Sequence, residues 1–208
     1  MARRRSVVTL MSTIALLAFP FNIRAADAPL AMFQTATQKT VAVLQNPAYQ
    51  GAAYRGERLA QVAATLLPYF DTEGMSQRAL GLYWRQLTTD QQQEFVRLFT
   101  ALVEHAYGGA IERHASDVQV LYEQERLNGN DAEVDTRVLA PAVGQPVSIN
   151  YFLHQVNGQW LIYDVQIENV SLVLNYRSQF ARILNTASYA ELVHRLKGKL
   201  LEVDAPSS

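Results

Sequence analysis

Near Asp117 the hydrophobic period of this sequence changes from 3.6 residues to 2. Before that point apolar residues recur at helical spacing. Leu30 to Leu44 is apolar at mixed helical spacing and stops at Asn46-Pro47, a terminating pair. Tyr54 to Leu67 places Leu59, Val62, Ala63, Leu66 and Leu67 on one stripe, and Met75 to Leu87 places Leu80, Tyr83 and Trp84 on one side. Thr88-Thr89-Asp90-Gln91 reads as a capping box. It opens a helix whose stripe is Phe95, Leu98, Phe99, Leu102 and Ala106, and Gly108-Gly109 is expected to end or bend it.

After Asp117 the alternation predicts strands. Val118, Val120 and Tyr122 alternate with polar residues, as do Val134, Thr136 and Val138, then Val147, Ile149, Tyr151 and Leu153. Asn128-Gly129-Asn130-Asp131 is turn chemistry, and Asn157-Gly158 is a strong two-residue hairpin signal ahead of a fourth strand, Gln159 to Ile167. Ser171 is a good N-cap for a helix carrying Val173, Tyr176, Phe180 and Ile183, and a last helix covers Tyr189 to Leu200. Helices followed by strands predict an α+β fold. Helices pack on one face of a curved antiparallel sheet of about four strands, in a single domain over residues 26–208.

The hairpin register carries one unexpected residue. With Asn157-Gly158 as the loop, Val156 faces Gln159, Leu153 faces Ile162 and Tyr151 faces Asp164, which puts Asp164 on the apolar face. A buried carboxylate needs a partner. A structural role, an ion pair with Arg177 or a helix cap, is the leading reading; a catalytic acid or base is the sharper alternative.

The first 25 residues read as a cleaved secretory leader. Arg3, Arg4 and Arg5 precede an uncharged run from Val7 to Phe21, and the small residues Ala25-Ala26 follow. A membrane anchor needs about 20 apolar residues, more than this run supplies before Pro20 interrupts it. Removing Arg3, Arg4, Arg5 and Arg24 leaves 14 basic residues against 19 acidic, a net charge of −5. That balance supplies no basic footprint for nucleic acid or for anionic headgroups. With no cysteine in the chain, disulfides and cysteine-ligated metals are excluded, so an exported domain must be held by its core alone.

Catalytic patterns are absent: there is no G-x-S-x-G elbow, no H-E-x-x-H helix and no phosphate-binding glycine loop. His105, His114, His154 and His194 lack metal-ligand spacing, and the acidic stretch Asn128 to Asp135 does not place a glycine where a calcium loop needs one. Neither a catalytic residue, a metal nor a cofactor is expected.

Three adjoining segments carry a resemblance: Trp160-Leu161-Ile162-Tyr163-Asp164-Val165, Glu168-Asn169-Val170-Ser171-Leu172-Val173, and Asn175-Tyr176-Arg177-Ser178-Gln179-Phe180. With Pro68-Tyr69-Phe70, the region of Trp84, and Phe95 to Tyr107, the chain from about Leu30 to Leu200 resembles the MlaC, or toluene-tolerance, family of periplasmic phospholipid-binding proteins. Asn169 stands where that family usually has glycine. Asparagine tolerates left-handed backbone, so the turn is expected to survive. The resemblance implies a periplasmic carrier, monomeric and not inserted in a membrane, with phospholipid acyl chains in an apolar cavity. It also implies shuttling between an outer-membrane lipoprotein complex and an inner-membrane ABC transporter complex, which maintains outer-membrane lipid asymmetry. The dry faces derived above then become candidate lipid-lining residues. These are Phe70, Phe99, Leu102 and Tyr107 from helices, and Val120, Tyr122, Val138, Ile149, Tyr151, Leu153 and Ile162 from the sheet. Val173, Tyr176 and Phe180 come from the helix that follows. The rival readings are a small-molecule enzyme in a cone-shaped α+β fold using Asp164, and a chaperone-like binder of exported apolar segments.

Overall fold

The computed structural model describes residues 28–114, 119–139 and 144–204, with side chains for all of these except 112–114 and 202–204. The predicted leader, Val118 and Pro141 lie outside them. The chain lays down four helices, α1 (Pro29–Gln45), α2 (Arg55–Leu66), α3 (Thr72–Leu80) and α4 (Thr89–His114). Five strands follow: β1 (Gln119–Asn128), β2 (Asp131–Leu139), β3 (Val147–Val156), β4 (Gln159–Ile167) and β5 (Val170–Ser171). Then come α5 (Leu172–Leu184) and α6 (Tyr189–Asp204). The sheet is an antiparallel meander in the order β1-β2-β3-β4-β5, and its fifth member is a two-residue strand too short to show any alternation.

Local chemistry explains most boundaries. The capping box forms in both directions: Thr88 N donates to Gln91 Oε1 at 2.9 Å and Gln91 N to Thr88 Oγ1 at 3.3 Å. Ser171 caps α5 by accepting from Leu174 N at 3.0 Å. Asp71 caps α3 through Gly74 N at 2.8 Å, and α3 stops at Gly81, whose φ of 57° suits glycine. A methyl group there would also sit 2.9 Å from the Arg177 Nε that lies across it. Asn157 and Gly158 both take positive φ, 51° and 79°, the signature of the tight two-residue turn. Asn169 has φ 64°, so the turn between β4 and β5 does keep its left-handed residue without glycine.

Two expectations are corrected. Helix α4 does not end at Gly108-Gly109 but continues to His114. Two glycines cost a helix only about 1 kcal/mol each, and here α4 is held by α2, whose Leu59 Cδ2 would lie 3.7 Å from a methyl on Gly108. The β3–β4 register agrees as far as Leu153↔Ile162 and then slips: Phe152 faces Asp164 and Tyr151 faces Val165. An extra residue at Tyr163 forms a bulge, which two-residue counting cannot detect.

The apolar residues form two clusters. The helical cluster joins Trp84, Phe95, Phe99, Leu102, Tyr176, Phe180, Leu192 and Leu196 among others. Its centre is an aromatic knot: Phe180 meets Phe95 at 5.5 Å and Phe99 at 5.7 Å, edge to face in both cases. The sheet cluster joins Ala132, Val134, Leu153, Trp160, Ile162 and Val165 with Phe33 of α1. Phe70 packs against both clusters. It is fixed there because Phe70 bridges to Ile162 in parallel and Asp71 N donates to Ile162 O at 2.9 Å.

The outer face of the sheet is polar, as a one-sided sheet requires. Arg126 pairs with Glu133 and Asp135, each at 2.7 Å. Tyr163 lies between the Arg78 guanidinium, 4.4 Å from its ring centre, and the His154 ring at 5.2 Å.

Candidate functional site

The inner face of the sheet is an apolar trough whose walls follow from the register. Three rows of inward residues cross the strands. The first is Ala132–Leu153–Ile162, the second Val134–Tyr151–Val165, and the third Tyr122–Thr136–Ile149–Ile167. Beyond them Val120 faces Val138 and Val138 faces Val147. Burial falls along this series. Leu153 and Val134 are fully buried, Ile149 and Ile167 are half-buried, and so are Val120, Val138 and Val147. Burial is greatest at Leu153, Val134 and Thr136 in the middle strands and least at the β1 edge and in the row through Val120, Val138 and Val147.

Helix α1 lies over it. Phe33 is the one large side chain on its buried face, which otherwise carries Pro29, Ala36 and Thr40. The Phe33 ring packs on Tyr151 at 4.5 Å between centres. Thr37 Oγ1 and Tyr122 OH are hydrogen-bonded at 3.0 Å, and Leu30 N donates to Glu125 Oε1 at 2.9 Å. A bulge between Tyr122 and Gln124 shifts the alternation of β1, so that Glu125 is half-buried and reaches an N–H that the start of a helix leaves unpaired.

The polar groups on the trough side are sparse: the Glu125 carboxylate, opposite Val134 and bonded to Leu30 N, and a few hydroxyls. Thr136 Oγ1 donates to Ile149 O at 2.9 Å. Burial pushes the Tyr151 phenol up to about 12, with Tyr122 and then Thr136 as lesser influences of opposite sign.

The fourteen candidate lining residues divide between these two regions. Val120, Tyr122, Val138, Ile149, Tyr151, Leu153 and Ile162 are on the trough side of the sheet. Phe99, Leu102, Val173, Tyr176 and Phe180 belong to the helical cluster, Tyr107 packs against it, and Phe70 borders both. Thr136 and Val165 also lie in the inward rows and Phe33 packs on those rows, and none of the three is among the fourteen candidates. Thr136 sits in the inward alternation of β2, so its position was readable; Val165 was displaced by the bulge. Phe33 had only the spacing Phe33–Ala36–Thr40 to announce it.

Asp164 is a helix-capping carboxylate. Its Oδ2 accepts from Ser171 Oγ at 2.5 Å, and its Oδ1 accepts from Val165 N at 2.8 Å and Val173 N at 3.1 Å. These bonds anchor the start of α5, where a negative charge is favourable. The expected ion pair with Arg177 is not formed: the bulge turns Asp164 off the apolar face, and Arg177 lies over Gly81 instead. The carboxylate is committed to three donors outside the trough, which argues against the acid/base alternative.

A surface cleft of about 210 Å³ lies elsewhere, between Tyr83, Leu87, Leu184 and Tyr189. It is smaller than the roughly 300 Å³ at which ligand pockets begin. Among the described residues no group of His, Asp and Glu is placed to hold a metal ion, and no helix is long and apolar enough to cross a membrane.

A structure of a phospholipid-binding protein from Ralstonia solanacearum in complex with a phospholipid superposes with a TM-score of 0.74 at 25% identity, covering 86% of this chain and 99% of that one. The toluene tolerance protein ttg2D of Pseudomonas putida is 24% identical over 86% of this chain and 80% of its own length. The intermembrane phospholipid transport system binding protein MlaC of Haemophilus influenzae is 23% identical, over 64% of this chain and 63% of its own length. The match to that relative therefore spans less than two thirds of it. The family profile described as MlaC protein matches residues 34–198, and the chain belongs to the MlaC family.

Proposed function

We propose that this protein is a soluble periplasmic phospholipid carrier, exported by the leader 1–25 and folded as one domain over 26–208. The carrying observation is the trough itself: an apolar surface spanning β1 to β4, fully buried at Leu153 and Val134 and half-buried at Val120 and Val138. Acyl chains lie along it, and each CH₂ taken out of water contributes about 0.8 kcal/mol. The headgroup stays near the half-buried residues. The half-buried Tyr122, Val138, Ile149 and Tyr151 touch lipid first, with Phe70 at the seam with the helices and Tyr107 against the helical cluster. The sealed residues Phe99, Leu102, Val173, Tyr176 and Phe180 hold the shape against which the sheet works. A relative solved with a phospholipid supports this reading.

A monomeric carrier of this kind works by exchange and needs no cofactor. Its donor and acceptor are an outer-membrane lipoprotein complex and an inner-membrane ABC transporter complex, and net exchange maintains outer-membrane lipid asymmetry. The test is native mass spectrometry of the protein purified from its host, with organic extraction of the same sample. About one phospholipid per chain is the expected result. Folded protein that is consistently free of lipid, and does not acquire it from vesicles, overturns the reading.

A further inference from the structure

The geometry points to α1 as an internal plug: Phe33 stands in the trough as a substitute for an acyl chain, and lipid loads by displacing it. This rests on the carrier reading above, because the displaced and displacing groups share one place. Phe33 is packed over Tyr151 and belongs to the cluster of Val134, Leu153 and Ile162, the sealed part of the trough. An acyl chain reaching that part and the Phe33 ring exclude one another sterically.

Three features of α1 suit a removable element better than a permanent wall. Phe33 is the one large apolar side chain it buries fully, with Met32 half-buried beside it, while Ala36 and Thr40 occupy the following turns. The Thr40 hydroxyl bonds back to Ala36 O within the helix at 2.9 Å rather than to the sheet. The polar ties between α1 and β1 are separate and single: Leu30 N to Glu125 at the start of the helix and Thr37 to Tyr122 two turns later. The connection to α2 supplies a place to bend. Between Gln45 and Arg55 the chain makes two short 3-10 turns, Pro47–Tyr49 and Ala52–Tyr54, neither with a buried residue, joined through Gly51 at φ 89°. Gly51 has nothing within 4 Å of where its side chain would be.

A plug and a lid predict opposite consequences. A lid that covers bound lipid slows its escape, so trimming it speeds release. A plug competes with lipid for one site, so the apparent affinity is the intrinsic affinity reduced by the fraction of molecules whose trough is open. Trimming the plug raises that fraction. Phe33→Ala should therefore hold phospholipid about tenfold more tightly and pass it to acceptor vesicles more slowly. Faster release, or no change in affinity, overturns the plug.

A second measurement reads the displacement itself. The chain has no cysteine, so Thr35→Cys on the exposed side of α1 and Leu121→Cys on β1 can be spin-labelled without background. Electron–electron distances would be taken on delipidated protein and on protein loaded from phosphatidylglycerol–phosphatidylethanolamine vesicles, with the lipid content of each sample measured by mass spectrometry. A longer and broader distance in the loaded sample is the expected result. Lipid bound with an unchanged distance overturns the plug and leaves the carrier reading standing. No lipid bound in either sample overturns both.

Discussion

The helical cluster and the sheet trough are built from the same residue types, yet they are finished differently. In the helical cluster four aromatic rings close on one another, with Phe95, Phe99 and Phe180 all sealed from solvent. In the trough the inward rows pass from sealed Leu153 and Val134 to half-buried Ile149, Val120 and Val138. The side of the trough away from the sheet is covered by α1, through Phe33 and the half-buried Met32, and by Tyr69 and Phe70. Close packing on all sides fixes a core. A surface packed on one side is available to something else, and a hydrocarbon chain suits it.

The largest effect that could break this contrast is a pair of truncations. Phe99→Ala in the knot should cost about 3–5 kcal/mol of unfolding free energy, as large aromatic deletions in sealed cores do. Ile149→Ala in the half-buried row should cost less than half as much and should lower bound phospholipid. Urea unfolding with lipid extraction of the same preparations checks both. Equal stability losses would mean that the trough is ordinary core.

A smaller effect concerns the joint between the two regions. Asp164 and Ser171 together cap α5 at the edge of β4, so Asp164→Ala should cost about 1–2 kcal/mol, in the range of lost N-caps. Its lipid content should be preserved, because the carboxylate lies outside the trough. Unchanged stability would show that the cap contributes nothing, and loss of lipid without loss of stability would return Asp164 to the site.

How much of this was legible in the sequence divides along the same line. The turn at Asn157-Gly158, the capping box at Thr88 and the cap at Ser171 were readable because each is decided by a few adjacent residues. The bulge at Tyr163 was not, since an inserted residue leaves the alternation on either side intact and only shifts its phase. That phase shift alone moved Asp164 from the apolar face to the helix cap. The continuation of α4 past Gly108 was hidden for another reason, because contact with α2 outweighs a local preference. The lining of the site was half legible. Phe99 and Tyr176 repeat with the period of any buried helix face, and periodicity cannot say whether the far side of that face meets protein or lipid. Family resemblance pointed to a cavity but could not assign these residues to it. Phe33 is the single aromatic of α1, and its partner Tyr151, more than a hundred positions away, gives it meaning.

The smallest effect sharpens the comparison through proton binding. Burial pushes Tyr151 in the trough up to about 12, and burial with Glu94 nearby pushes Tyr189 beside the helical cluster to about 12 as well. An unfolded tyrosine loses its proton near pH 10, about two units earlier. Below pH 10 both states hold these protons and stability is unaffected. Between about 10 and 12 the unfolded chain releases them while the folded chain keeps them, so stability falls as pH rises. Tyr151→Phe and Tyr189→Phe should each shallow that fall and each remove one late-ionising phenol from the ultraviolet titration. The Tyr189 hydroxyl donates to Gln91 O at 2.8 Å and should ionise late whatever the lipid content. For Tyr151 burial is the largest cause, so stripping the lipid should advance its titration if water enters and leave it unchanged if Phe33 takes the lipid's place. A late Tyr151 in delipidated wild type that becomes early in Phe33→Ala would identify the ring as what keeps the trough dry.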